Sequence, residues 1–305
     1  IFQPARMFAS ASLLNIRTLS PKFINNKTLN GKASLKGGSF GLLNPSFLLQ
    51  QKISPKYAAS LSGEWLSAHG EYPYLLHHSY LGDGTTSNET RKNSDVQNFR
   101  IEGSLHANFS ENESGYLKAY FYNSERGLPG GTILYNEGAF TSQRMWDNTF
   151  FVQSHYENHF SKLLSLQLNA KYHHGYVHYL DTVVLNSAGF EESYFTQNEY
   201  YASASLLYKA FTNISFSFST DASVNNMFAQ FENAALTESF AQPVRYSLLS
   251  VLAAKYVSEN VLATASVLST LVTETVENGT AADNRKRLSP YASVTYKPFD
   301  KTDLR

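Results

Sequence analysis

The sequence predicts an all-β protein, an antiparallel transmembrane β-barrel. Three observations predict this fold. Apolar and polar side chains alternate over many segments, short and long connections alternate along the chain, and aromatic residues gather beside the short connections. Side chains of a strand point to opposite faces of the sheet in turn. Outer-membrane barrels combine such strands with short turns at one end and long loops at the other.

The strands are recognised by strict alternation. From Leu164 to Tyr172 the even positions are apolar and the odd positions polar, and the same pattern recurs from Phe99 and from Ile214. These segments lack the 3.6-residue stripe of an amphipathic helix and are rich in residues that favour strands. We expect about twelve strands of about ten to fourteen residues between Lys27 and Pro298, which is longer than soluble strands usually are. A further strand begins at Asp303.

The connections between the strands follow a second pattern. Short turns are predicted at 53–55, 110–114, 161–162, 212–213, 258–260 and 300–302, and long polar loops at 73–95, 123–148, 180–198, 225–243 and 276–286. Successive antiparallel strands bring every second connection to the same end of the sheet. One end is therefore predicted to carry only short turns and the other the long loops, as in an outer-membrane barrel.

Aromatic residues flank nearly every short turn, where a membrane barrel has its periplasmic girdle. General β-propensity also favours Tyr and Phe, but it does not explain their gathering at one end. The predicted girdle residues are Tyr57, Phe109, Tyr116, Tyr156, Phe160, Tyr208, Phe211, Tyr256, Tyr296 and Phe299.

The composition excludes several functions. The 25 basic and 25 acidic residues leave no net charge, so the chain lacks the basic excess of a nucleic-acid binder, and it has no cysteine for a disulfide or a thiolate metal site. His174 and His178 share a strand face but lie about 13 Å apart, too far for one metal ion. We find no nucleophile motif, and so predict no enzyme, metal site or cofactor.

Aromatic residues in the predicted long loops are the candidates for ligand contact, because binding sites favour large amphipathic rings. Packing within the loops and an outer girdle are an equally weighted alternative, and Tyr72 and Trp146 fit the girdle better. The candidates are Tyr74, Tyr80, Tyr135, Tyr194, Phe195, Phe228 and Phe231.

Several short phrases resemble the TonB-dependent outer-membrane receptors common in Bacteroidetes. The segment 15–19 is similar to the closing strand of that family's plug domain, and 38–41 to its first barrel hairpin. The phrases 70–74 and 122–130 are similar to family phrases at the top of the third strand and where the fifth strand enters its loop. The resemblance spans nearly the whole chain, and it rests on these short phrases and on the layout of strands and loops, not on a catalytic signature.

The resemblance implies a barrel of about 22 strands with an internal plug. Residues 1–24 would then be the C-terminal end of the plug, and 25–305 the first part of the barrel. It also implies active transport of a scarce nutrient across the outer membrane of a Gram-negative bacterium, a metal chelate such as a siderophore, haem or a cobalamin-like compound.

The implied partners are outer-membrane lipid, the small-molecule substrate and TonB, which would act through a segment missing from this chain. A surface lipoprotein is a further candidate partner. Two alternatives stay open: a passive channel formed by a complete small barrel, and an outer-membrane binding or adhesion protein.

Overall fold

The computed structural model describes residues 1–9, 20–24, 27–77, 85–130, 142–184, 189–232, 240–299 and 302–304, and its elements are one short 3₁₀ helix and fifteen strands. Within these ranges, no helix has both the length and the hydrophobicity needed to cross a membrane. The 3₁₀ helix is Ala5–Phe8. The strands are β1 (Leu29–Gly38), β2 (Leu42–Lys52), β3 (Tyr57–Ala68), β4 (Pro73–His77), β5 (Thr86–Thr90), β6 (Val96–Ser110), β7 (Glu113–Gly127), β8 (Arg144–His159), β9 (Leu164–Asp181), β10 (Glu191–Tyr208), β11 (Ile214–Glu232), β12 (Pro243–Val257), β13 (Val261–Val276), β14 (Arg285–Phe299) and β15 (Thr302–Leu304).

The strands form one large antiparallel sheet. β1, β2, β3 and β6 to β15 pair in chain order, while β4 and β5 make a separate two-stranded sheet inside the predicted 73–95 loop. Twelve long strands and the short β15 confirm the all-β, antiparallel fold and the predicted strand number. Among the described residues β1 and β15 do not pair with each other, so the sheet has two end strands.

The two faces of the sheet differ in polarity. Leu206 lies opposite Phe218, and Phe218 opposite Leu252, and these side chains belong to a face that exposes large hydrophobic residues. We call it the apolar face. Ser217 and Ser219 point to the other side, the polar face, and are buried. Exposed apolar and buried polar residues are the reverse of a soluble core, and they confirm the predicted alternation.

The apolar face forms a belt of constant width. It extends from Tyr57 to Trp65 on β3, from Tyr200 to Tyr208 on β10, and from Leu288 to Tyr296 on β14, about nine residues in each case. A stretch of this length lies within the range of about 9–11 residues with which a tilted strand crosses a membrane. Aromatic residues lie at both edges of the belt on β3 and β10.

Several strands are longer than the sequence predicts. β8, β9, β10 and β11 contain 16, 18, 18 and 19 residues, so the predicted loops 180–198 and 225–243 shrink to connections at 182–190 and 233–242. On β10, about nine residues lie beyond Tyr200 on the loop side of the belt. The alternation fades there because polar residues occur on both faces, and it could not mark these parts as strand.

Of the predicted girdle residues whose side chains are described, all but Tyr116 lie on the apolar face or in the short turns. Tyr57, Phe109, Tyr208 and Tyr256 are exposed beside these turns. Tyr116 instead lies on the polar face, where its ring stacks on His155 at 5.4 Å. Tyr116 directly precedes Leu117, which belongs to the apolar face, and neighbouring strand residues point to opposite faces. The side chain of Phe299 lies outside the described part of the chain.

Candidate functional site

The loop end of the polar face carries an aromatic cluster. Phe195 on β10 and Phe231 on β11 share this face, and their ring centroids lie 5.7 Å apart in an edge arrangement. Phe240, in the connection that follows β11, lies 6.4 Å from Phe231. Large rings grouped on an otherwise polar wall offer contact area for a ligand. We take this aromatic cluster as the candidate site.

Two other predicted site residues point the opposite way. Tyr194 lies on the apolar-face side of β10 and stacks on His178 with centroids 4.5 Å apart. Phe228 occupies the same side of β11 and is 46% exposed. The expectation that Tyr194, Phe195, Phe228 and Phe231 lie in long loops is wrong, since all four are strand residues. Strand parity divides them into two on each face.

The remaining candidates lie elsewhere or are not described. Tyr74 belongs to β4, opposite Glu89 on β5. Its ring is 6.4 Å from that of Tyr72, which in turn is 5.9 Å from Phe40 in the β1–β2 turn. Tyr74 is therefore part of a separate hairpin, and the described contacts do not join it to the aromatic cluster. Tyr80 and Tyr135 lie outside the described residues.

The loop end is held together by backbone-directed hydrogen bonds. The amide of Asn93 donates from Nδ2 to the carbonyl oxygens of Leu128, at 3.2 Å, and Gln143, at 2.7 Å. Gly127 passes so close to Asn93 that a Cβ atom would collide with the Asn93 carbonyl oxygen. Arg91 donates to the Pro129 and Gly130 carbonyls. This packing gives a physical reason for the glycine-containing phrase at 122–130.

Charged residues reinforce the same rim. Arg144 donates from Nη2 to Asp95 and Glu125, at 2.8 Å each, and from Nη1 to Asp95 at 3.2 Å. The hydrogen bonds from Arg144 hold the pKa of the Asp95 carboxyl below its ordinary value. Arg126 forms a second ion pair with Asp147 on the polar face. Because these charges are paired, we assign them to the structure of the rim.

Residues 1–9 lie on the polar face, held by contacts that the sequence did not predict. Asp221 on β11 is only 2% exposed, and its carboxylate accepts the backbone N–H groups of Ala5, at 2.8 Å, and Arg6, at 2.9 Å, together with the Tyr201 hydroxyl at 3.0 Å. Ser219 donates to the carbonyl oxygen of Gln3 at 2.8 Å. Polar side chains along β11 thus hydrogen-bond the backbone of residues 1–9, which we call the N-terminal segment.

Apolar contacts secure the other side of the N-terminal segment. Ala5 is fully buried against Val251 on β12 and Leu268 on β13, with Phe8 and Leu249 at the edge of this group. A signal for this contact was present in the sequence. The run 248–254 is apolar on both faces of its strand, which a strand with one wet face would not be. The run is apolar on both faces because the N-terminal segment covers the polar face of β12.

The described residues offer no obvious metal chemistry. In these ranges no three His, Asp or Glu side chains converge as the ligands of a metal ion would. His174 instead hydrogen-bonds the Asn198 oxygen at 2.8 Å, and that amide donates to Asn226 at 3.0 Å. These groups form a polar row just beyond the belt.

No protein-family model and no curated protein matches this sequence. Solved structures do match. The ferripyoverdine receptor of the outer membrane of Pseudomonas aeruginosa aligns with a TM-score of 0.69 at 10% identity, over 92% of this chain and 42% of the receptor. The FrpB iron transporter from Neisseria meningitidis gives 0.69 at 10% identity, over 90% and 46%. The copper transporter OprC gives 0.67 at 11% identity, over 92% and 44%.

These likenesses show the fold. The large sheet has the fold of the barrel wall of TonB-dependent outer-membrane receptors. The short phrases in the sequence resemble the same family. The chain spans less than half the length of the solved structures it matches. The boundary between 1–24 and 25–305 remains a prediction.

Proposed function

We propose that the protein is part of an outer-membrane active transporter that takes up a scarce nutrient, and that it is not an enzyme. The observation that carries this proposal is a barrel wall with a wide apolar belt on one face and a docked segment on the other. An apolar belt edged by aromatic residues suits lipid, and the barrel gives its backbone hydrogen bonds partners within the membrane. The proposed location is the outer membrane of a Gram-negative bacterium.

The N-terminal segment favours active transport over a passive channel. A passive pore needs an open lumen, whereas residues 1–9 are fixed on the polar face by Asp221 and by the apolar contacts of Ala5. We infer that residues 1–24 are the end of a plug and that 25–305 begin the barrel of about 22 strands. Movement of the plug would then be needed for passage, with TonB as the proposed partner that drives it.

The proposed substrate is a metal chelate, such as a siderophore, haem or a cobalamin-like compound. Its support is the likeness of the fold to receptors and transporters of ferripyoverdine, iron and copper. Phe195 and Phe231 are the proposed contact residues at the loop end, because they face the lumen. Tyr74, Tyr80 and Tyr135 stay candidates on the outer loops, and a surface lipoprotein remains a candidate partner there.

Binding and uptake of a panel of metal chelates by the protein in its native outer membrane test this proposal. Phe195→Ala and Phe231→Ala should weaken binding of the chelate that is taken up, by roughly tenfold each if a buried ring contact is lost. Phe228→Ala is the matched control, because it removes the same ring from the opposite face of the same strand. Uptake of no chelate, or equal loss in all three variants, would count against the proposal.

A further inference from the structure

The N-terminal segment seals only one side of the barrel wall. On the β11–β13 side it is joined to the wall by hydrogen bonds and by the buried Ala5 group. On the opposite side a cavity of about 480 Å³ separates it from the polar face of β6 to β9. Phe2, Pro4 and Met7 line the segment's side of the cavity.

The wall of this cavity carries a row of rings. His106, Tyr116 and His155 lie on neighbouring strands, with centroid distances of 5.9 Å and 5.4 Å between successive rings. His155 holds the Asn169 amide oxygen at 2.8 Å from Nδ1, and His106 lies 3.0 Å from the Ser104 hydroxyl. These contacts hold the rings in place on the wall. Their other polar atoms therefore have fixed positions in the cavity surface.

Among the described residues that line the cavity, Glu157 carries the one carboxylate. Glu157 lies 3.6 Å from His155 Nε2 and 3.1 Å from His159 Nε2. Gln167, directly opposite Glu157, has a buried Oε1 atom without a hydrogen-bond partner among the described residues. In the described part of the chain, no lysine or arginine lines the cavity. The Glu157 carboxylate therefore faces this space. Lys118 and Lys171 flank the lining residue Gln153, but they are paired with Glu102 and Glu199.

We propose that this histidine–carboxylate cavity is a solute-binding site, and that it takes neutral or cationic solutes rich in hydrogen-bond donors rather than anionic ones. The proposal rests on the proposed transport function and adds a binding site to it. A transported solute would bind in this cavity as it passes the N-terminal segment. A donor of the solute would hydrogen-bond the Glu157 carboxylate, and hydrogen bonds to a charged acceptor are the strong ones. An anion would meet Glu157 without a compensating cation.

The opposite wall could not serve in the same way. Ser219 lies on β11 at the same level as Gln167, with Ser205 on β10 between them. Its side chain is fully buried beneath the N-terminal segment and donates to Gln3. A solute reaching Ser219 would have to displace the segment, whereas Gln167 already borders open space.

Cysteine reactivity tests the site, and the chain has no native cysteine to interfere. Gln167→Cys and Ser219→Cys are made in the protein purified from outer membranes in detergent. Each is treated with a trimethylammonium-bearing and a sulfonate-bearing methanethiosulfonate, and each rate is divided by that of Thr85→Cys in the outer loop region. We expect Gln167→Cys to react with the cationic reagent roughly three- to tenfold faster than with the anionic one, and Ser219→Cys to react with neither at a comparable rate.

Charge variants identify the source of the preference. In the Gln167→Cys protein, Glu157→Gln should bring the two normalised rates together. Glu259→Gln should leave the preference intact, because that carboxylate lies in the turn between β12 and β13 and does not line the cavity. Equal or reversed charge preference at Gln167→Cys, or equal reactivity at Ser219→Cys, would overturn the inference even if chelate uptake is found. If no chelate is taken up but the charge preference at Gln167→Cys is found, the proposed transport function is wrong and the proposed binding site still stands.

Discussion

Neighbouring residues on a single strand face different surroundings in this protein. On β9, Leu164, Leu166, Leu168 and Tyr172 belong to the apolar face, and Leu168 lies midway between the two edges of the belt. Gln167, between two of these leucines, faces the cavity instead. The sequence predicted this division correctly, because the alternation on this strand is strict where one face is apolar. It could not show the depth of each residue, which depends on the edges of the whole belt.

Leu168→Arg tests the depth and the face together. A charge on the lipid face costs about 2–4 kcal/mol at the bilayer midplane and falls toward the interfaces. We therefore expect Leu168→Arg to lower the free energy of unfolding by that amount, Leu166→Arg by less, and Gln167→Arg least, since its charge would lie in the cavity near Glu157. Unfolding titrations of the folded protein in lipid vesicles measure all three. A penalty at Gln167 as large as at Leu168 would contradict the assigned register.

Whole elements were predicted unevenly. The strands were found where they cross the belt, but on β8 to β11 the polar outer parts were mistaken for loop. Consequently Phe195 and Phe231 could be named as candidates but not separated from Tyr194 and Phe228, since parity is informative only within an assigned strand. The docking of residues 1–9 was missed because contacts more than 200 positions apart, such as Ala5 with Asp221, leave no local pattern.

The β4–β5 hairpin should be dispensable for the barrel. It forms its own two-stranded sheet, and its base is closed by the Ser94 hydroxyl, which donates to the Gly70 carbonyl at 2.7 Å. Replacing 73–90 with a short Gly–Ser linker should change the stability of the barrel by less than about 0.5 kcal/mol. Heat-modifiable gel mobility and an unfolding titration provide the measurement.

Gly70→Ala is the contrasting change at the base of the same loop. Gly70 has φ +67°, and a Cβ atom there would collide with the Ser94 carbonyl oxygen. A positive φ alone costs a residue with a Cβ about 1 kcal/mol, and the collision adds to it. A larger loss on removing the hairpin than on this single substitution would show that the hairpin supports the wall.

At the scale of the molecule, the connections divide the two ends of the sheet. The turns at 53–56, 111–112, 160–163, 209–213 and 258–260 lie at one end, and the connections at 69–95, 128–143, 182–190, 233–242 and 277–284 at the other. We predict that the second end is extracellular. In intact cells, a membrane-impermeant thiol reagent should label Thr85→Cys and not Ser258→Cys, while both react after lysis. The reverse pattern would invert the orientation in the membrane.

The open edges of the sheet lead to the last prediction. β1 pairs only with β2, and β15 only with β14, so each end strand leaves a row of N–H and C=O groups without partners among the described strands. In lipid each unpaired group costs several kcal/mol. Direct pairing of the two edges would close a barrel of about twelve strands, whose lumen would be narrow for a plug of which residues 1–9 are only one part. The solved structures of the same fold are more than twice as long as the part matched here.

We therefore predict that residues 1–305 expressed alone aggregate, and that a polypeptide supplying further strands at the open edges inserts into membranes. Refolding into detergent followed by electrophoresis with and without boiling distinguishes the two, because folded barrels migrate differently from boiled ones. The boiled sample of the longer polypeptide serves as the unfolded reference. A compact, heat-modifiable monomer formed by residues 1–305 would mean that the edges close on each other, and it would restore the small passive channel as the better account of the molecule.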